Sequence, residues 1–344
     1  MGTFLQPCWS RNLHQQPNPW SIIDPALVVV SERLTWLARI DPTTGAVRWR
    51  ISTGSTWGWM ACTAQQVFHL ESYIQCFDRE TGELRWQHVP ADHYIGAYGN
   101  LAVGASGVLI GGWRGYRPLR CLDAATGELR WVYPETRYML SPLLGPWGIA
   151  VADVGIGIGE TQAPKLLLLD DDGRVWRTLR IPDQMLYADR DASLQIYGDY
   201  LIVATHDGGV FALNPLGDDD WTQIGAHPAG IATSTPLRSG DTLLFQDGAG
   251  QICAFDLRAG LPRWVMEPIL YNRSDVVAVE LPGGRWIVRT NIGEVSLLDP
   301  DGAVLARQTI AQRISTPLAL TANGLIVAGT KSTLAGYQLS DPAG

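Results

Sequence analysis

One phrase recurs along this chain and limits its fold more than any other feature. "CFDRETGELRW" occupies residues 76–86 and returns as "CLDAATGELRW" at 121–131. Related forms end at Trp49 ("RIDPTTGAVRW"), Trp176 ("LLDDDGRVW"), Trp221 ("ALNPLGDDDW") and Trp264 ("AFDLRAGLPRW"). "LLDPDGAVLA" repeats the turn at Asp299–Gly302, with Leu305 where Trp would fall. The steps run from about 37 to 45 residues, the period of a four-stranded propeller blade. In each turn an Asp or Asn ends one strand and can accept backbone N–H groups two residues on. Gly45, Gly82, Gly127, Gly173, Gly217, Gly260 and Gly302 are expected to supply positive φ where the chain reverses. The Trp on the next strand is expected to cover the seam to the neighbouring sheet.

Between the turns lie short runs rich in branched residues and fenced by Gly, Asp, Asn or Ser: "ALVVVS", "YLIVAT", "DTLLFQ", "GLIVAGT". No window sustains a helical period, and charged residues make up only 17% of the chain, so the reading is all-β. Glycine and proline are spread throughout, with no linker-like stretch, which makes 1–344 a single β-propeller domain. Seven turns account for residues 20 to about 310. The tail 313–339 supplies three strands and lacks a turn-and-Trp strand, while "FLQPCWSRN" near the N-terminus holds an orphan Trp9. An N-terminal strand that completes the last blade would close the ring without an open edge. The expectation is an eight-bladed β-propeller of four-stranded antiparallel blades, the last closed by the N-terminal strand. The blades fall at roughly 20–51, 52–90, 91–134, 135–181, 182–225, 226–267, 268–310 and 311–340 plus 3–12. Seven blades stay open as the alternative if the tail is irregular.

The net charge of -8 argues against nucleic acid as a partner, because phosphate binding needs a basic face. No apolar run approaches the roughly 20 residues that cross a bilayer, so no membrane span is expected. The N-terminus lacks a charged stretch followed by an apolar run, and the expected location is cytoplasmic. Five scattered cysteines make no disulfide framework. Cys76, Cys121 and Cys253 read as small apolar fillers on equivalent strands.

The pattern Asp-x-x-Thr-Gly-x-x-x-Trp, at Asp41, Asp78 and Asp123, resembles the tryptophan-docking motif of the pyrroloquinoline-quinone-like (quinoprotein-type) β-propellers. The resemblance implies the fold over nearly the whole chain and leaves function open. That family includes quinone-dependent alcohol and sugar dehydrogenases and a periplasmic outer-membrane assembly scaffold. The dehydrogenases carry an adjacent Cys-Cys pair under the quinone and calcium ligands. No two cysteines are adjacent here, so the quinone PQQ is not an expected cofactor.

In a propeller, the segments between one blade's outer strand and the next blade's inner strand gather around the central funnel, where function usually resides. Those segments carry Trp57, Trp59, His93, Tyr94, Arg137, Tyr138, Arg190, His227, Tyr271, Arg273 and Arg313. Guanidinium forks suit carboxylate or phosphate, and the aromatic rings suit an apolar portion of the same ligand. Two readings follow. In the first, the funnel binds an anionic, partly hydrophobic small molecule and acts on it as a lyase or hydrolase that removes phosphate or diphosphate from an isoprenoid-like substrate. Arg137, Arg190, Arg273 and Arg313 would hold the leaving anion. Trp57, Trp59 and Tyr138 would face the developing cation, with Tyr94 and Tyr271 nearby, and His93 or His227 would move a proton. Asp189 and Asp191 could hold Mg²⁺ against a phosphate, or else pair with arginines. In the second, the chain is a non-catalytic scaffold that binds a protein partner. The acidic boxes at 168–176 and 217–221 fall in outer turns, where Asp serves backbone geometry.

Overall fold

The computed structural model describes residues 3–13, 22–23, 28–32, 36–53, 59–70, 73–89, 99–105, 107–112, 118–134, 141–153, 156–157, 160–161, 165–181, 194–205, 207–231, 236–266, 276–289, 293–330 and 332–340. Every regular element among them is a strand. Eight four-stranded antiparallel sheets form the blades of a propeller. From inner to outer strand, blade 1 is Ile22–Ile23, Val28–Glu32, Trp36–Ile40 and Val47–Ser52. Blade 2 is Trp59–Cys62, Gln66–Leu70, Ile74–Asp78 and Leu84–His88. Blade 3 is Gly99–Gly104, Gly107–Gly112, Leu119–Leu122 and Leu129–Tyr133. Blade 4 is Leu143–Gly145, Gly148–Asp153, Lys165–Leu169 and Val175–Arg180, with a small ribbon of Ile156–Gly157 and Glu160–Thr161 between its second and third strands. Blade 5 is Leu194–Tyr197, Tyr200–Ala204, Gly209–Leu213 and Thr222–Ala226. Blade 6 is Leu237–Ser239, Thr242–Gln246, Ile252–Asp256 and Leu261–Val265. Blade 7 is Ala278–Glu280, Trp286–Arg289, Glu294–Leu298 and Val304–Thr309. Blade 8 is Ala319–Leu320, Leu325–Gly329 and Thr333–Leu339, completed by the N-terminal strand Leu5–Asn12.

The middle strands are buried on both faces, as the continuous apolar runs require: Gln66–Leu70 and Leu325–Gly329 are buried throughout. Burial resolves into eight apolar clusters, and each spans one seam. Leu37 and Trp49 of blade 1 pack with Val67 and Phe77 of blade 2. The series continues around the ring to Ala38 and Ile40 of blade 1 against Val327 and Leu334 of blade 8. Eight sheets joined by eight seams make a closed ring. Inner strands of neighbouring blades also touch, as Ile22–Ile23 does with Trp59–Cys62 and Ala278–Glu280 with Ala319–Leu320.

Ring closure has its own polar clasp. Leu5–Asn12 pairs along Thr333–Leu339, and Gln308 of blade 7 reaches the same N-terminal strand. The Gln308 carboxamide accepts from the backbone N–H groups of Phe4 (3.0 Å) and Leu5 (2.8 Å) and donates to the Leu5 carbonyl (2.8 Å). Phe4 and Leu5 are fully buried beneath it. Sheet pairing in blade 8 and a side-chain clasp from blade 7 therefore hold the same strand.

The repeated turns work as the sequence implies. The Asp78 carboxylate accepts from the N–H groups of Glu80 (2.8 Å) and Thr81 (2.9 Å), and its other oxygen pairs with Arg85. Asp41 pairs with Arg48 and Asp256 with Arg263 in the same way. The Arg that precedes each of these Trp residues is thus a partner of the turn. Its guanidinium, then the turn N–H groups, hold the Asp78 carboxyl well below the usual carboxylate range. At Asp41, burial pushes the other way, but Arg48 and the N–H groups of Thr44 and Thr43 prevail and lower its pKa to about 2.

In every blade the outer strand bulges by one residue, and the residue after the bulge faces the seam to the next blade. At five seams that residue is Trp: Trp9, Trp49, Trp86, Trp131 and Trp264. Each ring lies over the turn glycine of the following blade. A Cβ on Gly127, which has φ +75°, would come within 2.5 Å of the Trp86 ring, so only glycine fits both the backbone and the space. Four of the indoles also donate to the carbonyl directly after the next turn's Asp. Trp9 reaches Pro42 (3.1 Å), Trp49 Arg79 (2.9 Å), Trp86 Ala124 (3.1 Å) and Trp131 Asp171 (2.8 Å).

Three seams depart from the expected pattern. In blade 4 the docking position is Arg177, paired with Leu168, and Trp176 is the bulged residue, 43% exposed. Arg177 donates to the carbonyls of Pro215 and Asp218 (2.6 Å each) and pairs with Asp219. In blade 5 the docking position is Gly225. Trp221 precedes that strand, turns back into the blade 4–5 cluster and donates to the Arg180 carbonyl (3.2 Å). Gly217 is not among the positive-φ glycines, because this turn is built instead on Asn214 and Asp218. In blade 7 the docking residue is Ala306, and Leu305 is the exposed bulge.

Candidate functional site

Three of the funnel candidates lie among the described residues, and each belongs to a different part of the ring. Trp59 opens the inner strand of blade 2, half-buried against the cluster of Phe68, Leu70 and Ile74. Arg313 is exposed in the segment leading to blade 8. It lines a groove of about 560 Å³ between blades 7 and 8, with Gln308, Gln312, Thr330, Ser332 and Tyr337 around it. His227 is buried where the chain leaves blade 5 for blade 6. Trp57, His93, Tyr94, Arg137, Tyr138, Asp189, Arg190, Asp191, Tyr271 and Arg273 lie outside the described residues.

His227 is held on all sides. Its N–H donates to the Gly208 carbonyl (2.8 Å), its carbonyl accepts from the Gly230 N–H (3.1 Å), and its ring meets Phe245 edge-on at 5.3 Å. Nδ1 has no hydrogen-bond partner among the described residues. The short segment after His227 bridges from Ile231 to Asp247, and Gly248 donates to the Ala229 carbonyl (3.0 Å). That docking brings His227 beside the second hairpin of blade 6. One ligand atom each of His227, Asp247 and Cys253 lies within 4.8 Å of the others, and all three residues are buried. One Asp247 oxygen accepts from the N–H groups of Ala249 (2.9 Å) and Gln251 (2.8 Å). The other accepts from the Cys253 thiol at 3.7 Å. Burial, then the Asp247 charge, push the Cys253 thiol up to about 12.

The sequence alone groups Cys253 with Cys76 and Cys121 and does not single out Asp247. Register separates them. Cys76 pairs with Trp86 and Cys121 with Trp131, whereas Trp264 pairs with Ala254 and Cys253 sits one place earlier. A one-residue offset turns a strand side chain to the opposite face. Cys253 therefore enters the blade 5–6 seam, while Ala254 enters the 6–7 seam. The available signal was spacing: Cys253 precedes Asp256 by three residues, and Cys76 and Cys121 precede their Asp by two.

No helix among the described residues is long and apolar enough to cross a membrane. The chain resembles BamB from Moraxella catarrhalis, with a TM-score of 0.70, 16% identity and 98% of each chain covered. It also resembles the computationally designed Ika8 protein, with a TM-score of 0.70, 13% identity and coverage of 97% of this chain and 100% of that one. Quinohemoprotein alcohol dehydrogenase ADHIIG from Pseudomonas putida HK5 is similar too, with a TM-score of 0.69, 12% identity and coverage of 97% and 76%. At these identities the likeness establishes the fold alone, and folds of this kind host several functions. No curated protein matches the chain by sequence. A family sequence model, described as outer membrane protein assembly factor BamB, matches residues 70–280. That span is more than half of the chain, which therefore belongs to the BamB family of PQQ-like β-propellers.

Proposed function

We propose that this chain is a non-catalytic scaffold that docks a protein partner along the rim of the ring. The observation that carries this reading is the outer strand of blade 4. Val175–Arg180 is the last strand of its sheet, so one backbone edge has no strand partner among the described residues. Trp176 on it is the most exposed indole among the described residues, whereas the indoles at the docking positions are spent on seams. Trp176, Thr178 and Arg180 are exposed along it, and the bulge at Trp176 switches the buried side, so that Val175 packs into the blade 3–4 seam and Leu179 into the blade 4–5 seam. Arg174 pairs with Asp172 at 3.6 Å, so the exposed indole and Arg180 on an open strand edge suit an extended segment that adds to the sheet and sets an acidic residue against Arg180. Family membership supports the same reading, since the family is named for an assembly factor.

The test replaces Trp176 and Arg180 together (W176E/R180E) and compares native co-purification with the wild-type chain. The expected result is loss of a stoichiometric partner with an unchanged melting temperature. An unchanged set of stoichiometric partners would remove the rim from the proposal.

A second reading, an anionic small-molecule ligand, draws on Arg313 and the groove beside it, whose volume of about 560 Å³ suits a small molecule. Its test is thermal stabilisation by inorganic phosphate, diphosphate and small carboxylates. A shift that Arg313→Ala removes supports it, and no shift with any of them eliminates it.

A further inference from the structure

The blade 5–6 seam lacks the indole that closes five others. Its docking position is Gly225, and Ile224 and Gly225 run directly against the Gly260 turn of blade 6. The residues next along this exit strand are also unusual. Two residues after Gly225 comes His227, buried and facing Asp247 and Cys253 across the same seam.

We propose that His227, Asp247 and Cys253 form a binding site for one Zn²⁺-class ion that clasps blade 5 to blade 6. An imidazole nitrogen, a thiolate and a carboxylate are the donor types that a borderline-soft divalent ion takes together. Around a tetrahedral ion with bonds of about 2.0–2.3 Å, neighbouring donors stand roughly 3.5 Å apart. The Cys253 sulfur and the Asp247 oxygen already stand 3.7 Å apart, and all three donors lie within 4.8 Å. Closing the site on an ion therefore asks for shifts of about 1 Å.

Charge fits as well. A thiolate and a carboxylate neutralise a divalent ion, so no uncompensated charge is left in the interior. One ring nitrogen of His227 lies within 4.8 Å of the other two donors, and its Nδ1 is buried without a hydrogen-bond partner among the described residues, so the imidazole has donor capacity left for an ion. Asp247 is pre-set for the task. Backbone N–H groups of its own turn occupy one oxygen and leave the other for the seam. On binding, the Cys253 thiol proton leaves to solvent and the sulfur lone pair binds the metal. Affinity should therefore rise with pH. Three protein donors leave a fourth position for water. The bland alternative is a thiol that donates to a turn aspartate inside an apolar seam, with no ion.

The experiment uses the full chain, stripped with EDTA and titrated with Co²⁺ and then Zn²⁺. The expected result is one equivalent bound, with a thiolate-to-cobalt charge-transfer band that Zn²⁺ displaces. Zn²⁺ should also raise the melting temperature, and Mg²⁺, which avoids sulfur, should not. Cys253→Ala and His227→Gln should each weaken binding by more than about 100-fold, beyond the 10–100-fold typical of outer-shell changes. A wild-type chain with neither the band nor a Zn²⁺-dependent shift would overturn the proposal, whether or not the variants fold. So would a folded Cys253→Ala variant with unchanged affinity.

Discussion

The seam between blades 2 and 3 and the seam between blades 5 and 6 solve one packing problem from opposite sides. At 2–3 the knob comes from the earlier blade. Trp86 lies on Gly127, donates to the Ala124 carbonyl at 3.1 Å and meets Phe68 at 5.8 Å. At 5–6 the glycine is on the earlier blade and the knob comes from the later one. A Cβ on Gly225 would run into the Phe255 ring and the Gly260 carbonyl. The ring tolerates either, because a close-packed seam needs matched volume and sets no rule about which sheet supplies it. Polarity differs too. The 2–3 seam buries the Cys76 thiol among carbon and is crossed by the Trp86 indole and the Gln66 amide, both donating to the Ala124 carbonyl, whereas the 5–6 seam gathers an imidazole, a carboxylate and a thiol within 4.8 Å.

This contrast is broken most forcefully by removing an indole that fills a seam. Trp86→Ala should cost about 3–5 kcal/mol, the range for a large buried aromatic, read by denaturant unfolding. Trp49→Ala should behave alike, because its N–H finds the matching carbonyl in blade 2.

A smaller effect is expected at the closing seam, where Ala306 fills the docking position and Gln308 clasps the N-terminal strand. Gln308→Ala leaves the N–H groups of Phe4 and Leu5 without their side-chain acceptor. It should cost about 1–3 kcal/mol in the same measurement. Deleting residues 1–12 should cost more than this point change if sheet pairing and the clasp both hold the strand.

The smallest effect concerns the turns, and its sign follows from their carboxylates. The pKa values of Asp41, Asp78, Asp123 and Asp256 lie below the ordinary value in the folded chain. Their contribution is therefore complete above the unfolded pKa of about 3.9 and is lost as pH falls toward the folded values. For Asp41 that window runs from about 4 down to about 2. Stability measured against pH should fall through it, and Asp41→Asn should flatten part of the fall.

Much of this architecture is legible in the sequence, and the failures have physical causes. Where the turn has the form Asp-x-x-Thr-Gly, at Asp41, Asp78 and Asp123, counting four residues past the glycine finds the docked Trp. The same count finds Arg177 and Ala306. Trp176 and Leu305 sit one residue early, on the bulge, and point to solvent. In blade 5 the count itself fails, because the Asn214–Asp218 turn has its own hydrogen bonding and the strand starts only at Thr222. The His227 cluster was half legible. His227 stood out as a residue between blades, but Asp247 and Cys253 joined it only through the register of blade 6 and the bridge at Ile231.

Bulge register decides which indole holds the ring, and two substitutions of the same residue type test this side by side. Trp86 and Trp176 both end a turn phrase in the sequence, yet one is docked and the other stands in solvent. Thermal melting of Trp86→Ala and Trp176→Ala in one buffer should separate them. The first should melt on the order of 5 °C lower than wild type and the second should melt with it. Equal losses from the two would contradict the assignment.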